Sequence, residues 1–241
     1  MSSGHQAPNN YLFMAIRLEK GQRINLEKES GAKLTNFCVG CNWGAIMVET
    51  PGFLGFGKKK EELDVDVDLS CVMTDQNGQL VDTLYSPLYK PQFLQEAGLP
   101  VGKDWSADKS MYHTPDDTEG DKGGDDGLDN EIIKVDLTKV NPQISQIFFF
   151  LNIYSPRGID FQQIPYVAIR MFEGVPEKAP KQVFAQYDVA KEQQFAGMDA
   201  LVMGKLYRRN GDWKFAAIGD AFNDNNDLRN TVRRIINNFA K

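Results

Sequence analysis

Histidine and cysteine are scarce: 241 residues hold two histidines and three cysteines. An odd cysteine count argues against a secreted disulfide scaffold. Long apolar runs are missing too, none approaching the roughly 20 residues of a membrane helix. Basic residues are outnumbered, for a formal charge of −6, which leaves no basic face for nucleic acid. Met1 to Asn10 is polar, and Leu12 to Ile16 is too short for a secretory core, so no export signal is read and the cytoplasm is expected. Helical periodicity is absent until the last twenty residues. What remains, 41% apolar and 25% charged, is ordinary for a folded chain and excludes wholesale disorder.

Strand signals fill the space that helices leave. Short segments rich in Val, Ile, Phe and Tyr alternate with turn residues, at 13–18, 22–26, 34–43, 64–74, 79–85, 132–137, 146–154, 165–172, 183–187, 200–208 and 213–219. Asn210-Gly211 supplies the two positive φ angles of a type I′ hairpin, and Asp75-Gln76-Asn77-Gly78 marks a longer turn. About ten strands with short turns predict an all-β antiparallel sandwich. Leu228, Val232, Ile235, Ile236 and Phe239 fall at helical spacing, with Asn225, Asn226 or Asp227 as N-cap. A C-terminal amphipathic helix over 226–240 should therefore pack on the sandwich. Pro51 to Glu62 and Pro87 to Ala107, rich in Gly with Lys or Pro, read as long inserted loops. Residues 14–241 read as one domain and 1–13 as a flexible extension.

The most unusual stretch is Asp116 to Glu131. Its eight acids face one base, Lys122, for a net charge of −7. Four interspersed glycines let the backbone bend and present carbonyls beside carboxylates. Such crowding is costly unless the loop is fully hydrated or holds a cation, and the loop alone leaves both open. A second cluster favours the cation. In Asp64-Val65-Asp66-Val67-Asp68-Leu69 the aspartates share one strand face. Carboxylates at i and i+2 lie roughly 6.6–6.8 Å apart along a strand, so another segment must complete any shell around an ion. Calcium, with six to eight hard oxygens and tolerant geometry, suits this chemistry. The carboxylates are numerous enough for two ions. The EF-hand pattern fails, since Lys122 falls where glycine is required and Leu128 where the bidentate Glu belongs.

These residues carry a family resemblance. Met14-Ala15-Ile16-Arg17-Leu18-Glu19-Lys20-Gly21-Gln22, Asp66-Val67-Asp68, His113-Thr114-Pro115-Asp116-Asp117, Asp129-Asn130-Glu131 and Gly204 to Phe215 together resemble the TerD family of tellurite-resistance and stress proteins, calcium-binding β-sandwiches. The resemblance runs from about Met14 to Phe222. It implies metal ligands at Asp66, Asp68, Asp116, Asp117, Asp129 and Glu131, with Asp125 and Asp126 as alternatives in an inserted stretch near Asp121 to Leu128. Departures are Gly44 after Trp43, where the family has Gly-Trp-Asp, Pro115 in place of a glycine and Asn130 in place of an acid.

Other motifs carry less. Gly52 to Lys59 nearly matches a P-loop but ends in Lys59 rather than Ser or Thr and leads into a strand. Cys38-Val39-Gly40-Cys41 sits in a strand, where burial is the simplest expectation. His113 is a candidate base with no nucleophile pattern beside it. The expected function is a calcium-binding stress-response module without catalysis, acting as a binding or scaffold protein. The alternatives are a metal-dependent hydrolase using the same acids, and a partner-binding protein with purely structural calcium.

Overall fold

The computed structural model describes residues 15–28, 31–51, 58–176, 178–189 and 193–240. The extension 1–13, the start of the first expected strand and the glycine-rich Gly52 to Gly57 lie outside them.

Every strand expected from alternation forms. In chain order the strands are β1 Ile16–Arg17, β2 Arg23–Asn25, β3 Asn36–Trp43, β4 Ile46–Pro51, β5 Lys58–Leu63, β6 Asp66–Thr74, β7 Leu80–Leu84, β8 Met111–His113, β9 Glu131–Asp136, β10 Gln146–Ser155, β11 Val167–Glu173, β12 Gln182–Asp188, β13 Ala200–Arg209 and β14 Asp212–Phe222. One sheet has the order β1-β12-β11-β3-β9-β8 and the other β2-β14-β13-β10-β6-β7. Among the described strands only the β1–β12 pair is parallel. The β13–β14 hairpin turns through Asn210 (φ 52°) and Gly211 (φ 81°), the two positive angles that the Asn-Gly pair predicts.

The core lies between the sheets. On β6, Val67, Leu69, Cys71 and Met73 point inward, which turns Asp66, Asp68, Ser70 and Val72 to the opposite face. That face is covered as well. Helix α2 (Leu228–Arg234), capped by the Asp227 side chain on the Arg229 N–H, lays Leu228, Val232 and Ile235 on Val72, Phe148, Phe150 and Val202. Beyond Arg234 the chain widens into a π turn, Ile235–Phe239, so the expected helix is present with a looser last turn.

Two segments expected as loops are partly regular. Lys58–Leu63 pairs with Ile46–Pro51 in a separate two-stranded sheet. Alternation could not show it, because Lys58 to Glu62 is polar on both faces and exposed throughout. Within Pro87 to Ala107 a short helix α1 (Pro91–Gln95) opens on its proline and buries Leu94. The three-residue β8, paired with β9, is too short to show a period. Among the described residues Cys38, Cys41 and Cys71 form no disulfide and are buried on strands, and burial pushes the Cys41 and Cys71 thiols well up.

Candidate metal centre

The acidic loop runs along an edge of β6 that no strand covers. β7 pairs with β6 only from Cys71 to Thr74, leaving the backbone groups of Val65 and Leu69 to be satisfied otherwise. The Leu69 N–H donates to Glu131 Oε2 at 2.6 Å, and His113 Nε2 lies 2.7 Å from the Leu69 carbonyl oxygen. The Val65 N–H donates to the Glu119 carbonyl at 3.3 Å, and the Trp43 indole N–H donates to the Val65 carbonyl at 2.7 Å. Gly120, at φ +73°, lets the loop pass the indole; a Cβ there would lie 2.5 Å from Trp43 Nε1.

His113 is locked by this arrangement. Its Nδ1 faces the Thr114 carbonyl at 2.5 Å while Nε2 faces Leu69. Glu131 Oε2 lies 3.6 Å from Nε2. Both ring nitrogens are thus engaged by backbone carbonyls within the protein.

This docking brings Asp116 to the two strand aspartates. One oxygen from each of Asp66, Asp68 and Asp116 lies within 4.8 Å of the other two. Asp66 and Asp68 are 6% and 3% exposed, and Asp68 Oδ2 accepts the Tyr89 hydroxyl at 2.6 Å. Among the described residues Asp66 Oδ1 and Asp116 Oδ1 are buried without a hydrogen-bond partner. Among the described residues none of the three pairs with a basic side chain. Burial, then the charges of Asp116 and Asp117, raise the Asp66 carboxyl to about 7. Burial and then Asp66 push Asp68 well up; burial and then Asp68 do the same to Glu131.

The other expected ligands divide. Asp117 takes backbone N–H groups from Glu119 and Gly120 and stands beside the triad. Glu131 spends its oxygens on the Leu69 and Asp117 N–H groups. Asp125 and Asp126 join Asp121 in a second, more exposed triad. There Asp125 accepts from Asn42 and Gly127, Asp126 from Leu128, and Asp121 from Tyr166 and Asn130. Asp129 belongs to neither group. Its Oδ1 accepts from Arg170 Nε at 2.7 Å, and it sits where a side chain on Gly40 would collide with it.

Strand register, buried triad and loop docking together define a fold that can be compared with known proteins. The TerD domain matches residues 14–234. The chain belongs to the TerD family. Stress response protein SCP2 of Bacillus subtilis (strain 168) is 32% identical over 216 residues, 88% of this chain and 94% of that protein. Tellurium resistance protein TerZ of Serratia marcescens is 28% identical over 208 residues, covering 86% and 90%. A solved homologue of telluride resistance protein (TerD) from Streptomyces coelicolor A3(2) superposes with a TM-score of 0.55 at 14% identity, covering 86% of this chain and 98% of that one. That likeness speaks for the fold alone.

Against the TerD pattern, Asn130 gains a physical reading. Its amide donates to Asp117 Oδ2 (3.2 Å) and Asp121 Oδ1 (3.1 Å) while its oxygen accepts the Trp43 N–H (2.9 Å). A carboxylate could accept from Trp43 but could not donate to two acids. Tyr89, Asn130 and Arg170 escaped the sequence reading. Only Asn130 left a trace there, as a departure from the family's acid.

Proposed function

We propose that this TerD-family chain is a calcium-binding module of the stress-response type, with its principal ion held by Asp66, Asp68 and Asp116. The observation that carries the reading is the buried triad, which among the described residues has no counter-charge and leaves two oxygens unpartnered. Buried carboxylates must be protonated or neutralised by a cation. An all-oxygen donor set selects a hard ion, and an irregular one suits calcium better than magnesium. Asp117, next in the chain to Asp116 and close enough to raise the Asp66 carboxyl, is a further donor. A second ion would take Asp121, Asp125 and Asp126, whose oxygens are already engaged by N–H and O–H donors. The inner triad is therefore the stronger site.

Calcium there relieves carboxylate repulsion and fixes the loop against β6. The ion thus completes a surface built by the loop, which fits a binding or scaffold role. The names of the relatives, in stress response and tellurium resistance, support a role in stress physiology. Isothermal titration of calcium into the chelator-treated chain should give saturable heat, and calcium should raise the melting temperature. At a hundred times the dissociation constant the gain is about 2.7 kcal/mol. No heat and an unmoved melting curve would remove this reading.

A further inference from the structure

Beside the metal centre lies a groove of about 350 Å³ lined by Tyr89, Phe93, Tyr154, Lys90, Arg157 and Asn226. We propose that it binds a nucleoside monophosphate, a planar ring carrying a compact anion.

Three rings cluster at the groove. Tyr154 meets Tyr89 edge-on at 5.3 Å, and Tyr89 stacks with Phe93 at 6.5 Å. The back of Phe93 is held by the Arg229 guanidinium, 3.7 Å from the ring centre. Tyr154 is nonetheless 43% exposed, an aromatic surface on which a base can stack.

Lys90 and Arg157 give the groove its charge. Neither forms an ion pair among the described residues, in a chain whose formal charge is −6 and whose other surface cations are often paired. Two unopposed cations flanking aromatic rings are complementary to an anion joined to a flat ring. Asn226 adds an amide whose Nδ2 donates to the Ile153 carbonyl and whose Oδ1 accepts no hydrogen bond among the described residues. Asn225 and Asn226 both hold positive φ, 60° and 51°. Such backbone is uncommon outside glycine and gathers at functional sites.

The volume lies at the lower end of small-ligand pockets, enough for a mononucleotide. A polyanionic strand is disfavoured, because the −7 loop stands close by. The closeness is direct: Tyr89 gives its ring to the groove and its hydroxyl to Asp68, and Ser155, also in the lining, is the strand partner of Asp66.

The test uses the full chain in chelator, which keeps it independent of the calcium reading. AMP, GMP, CMP and UMP are titrated by calorimetry and by amide chemical shifts. At least one should saturate with a dissociation constant below about 1 mM, more tightly than its nucleoside or inorganic phosphate alone. Tyr154→Ala and Arg157→Ala should each weaken it about tenfold. Leu88→Ala, exposed and outside the groove, should leave it unchanged. Arg157→Ala decides the matter if Tyr154→Ala disturbs folding, since Arg157 is an exposed residue. Saturation by none of the four, indifference to Arg157→Ala, or tighter binding of a single-stranded tetranucleotide than of its monomer would overturn the proposal.

Discussion

Glu131 Oε2 accepts the Leu69 N–H at 2.6 Å, so a side chain on β9 of one sheet closes a backbone position on β6 of the other. The carboxylate thereby works as a piece of missing strand. It also stands beside Asp68, where its charge makes the site costly without a cation. Fold stability and the proposed ion site meet in this one contact.

Asp66→Asn and Asp68→Asn should each lower calcium affinity by about a hundredfold or more while raising the melting temperature in chelator, because a buried like charge is lost. Asp125→Asn should change the affinity of the principal site by less than about threefold. Calorimetry and thermal melts on the three variants check this. If Asp125→Asn abolished the main calcium heat, the outer triad would be the site.

Stability without calcium should fall as pH rises. The folded Asp66 carboxyl, at about 7, lies above its unfolded value near 4. Between those values the native state keeps a proton that the unfolded chain releases. The contribution is complete below about pH 4 and is lost as pH climbs through about 7. Asp68 and Glu131 shift in the same direction. Melting in chelator from about pH 5 to pH 8 should slope downward. Calcium should flatten or reverse the slope, since binding needs deprotonated ligands.

Asn130→Asp would put a third acid between Asp117 and Asp121 in place of two donated hydrogen bonds. A cost of about 2 kcal/mol is expected in chelator, a few degrees of melting temperature for a chain this size. Saturating calcium should reduce the deficit. A variant as stable as the parent in chelator would show that the amide bridge contributes little.

Arg170→Met leaves Asp129, almost fully buried, without its partner. Destabilisation of about 3 kcal/mol is expected, with faster hydrogen exchange across residues 121–130 and unchanged protection in β6. Gly40→Ala should act on the same segment, because its Cβ would fall 2.3 Å from Asp129 Oδ2.

Val232→Ala removes a fully buried side chain from the contact of α2 with the sheet. A loss of about 2–4 kcal/mol is expected, with calcium affinity per folded molecule unchanged. Denaturant melts and calorimetry separate the two effects.

How much was legible follows from the range of each interaction. Alternation is local, so β3, β6 and β10 could be read directly, as could the Asn210-Gly211 turn and the Leu228-Val232-Ile235 stripe. The sequence also placed Asp66 and Asp68 on one strand face and required a second segment to join them. β5 was hidden because a polar strand held by backbone pairing has no apolar face to show. The family pattern singled out six acids, with Asp125 and Asp126 as alternatives, but not which of them share a site.

The sequence by itself determined the all-β class, the C-terminal helix and the two acidic segments, because these depend on neighbours two to four residues apart. Tertiary structure alone decided that Asp116 reaches Asp66 and Asp68, that Asp129 turns to Arg170, and that Tyr89 couples the triad to a groove. Those outcomes depend on where β7 stops. The bare edge of β6 has N–H and C=O groups to satisfy, and the loop that satisfies them carries its carboxylates to fixed places that no spacing along the chain records.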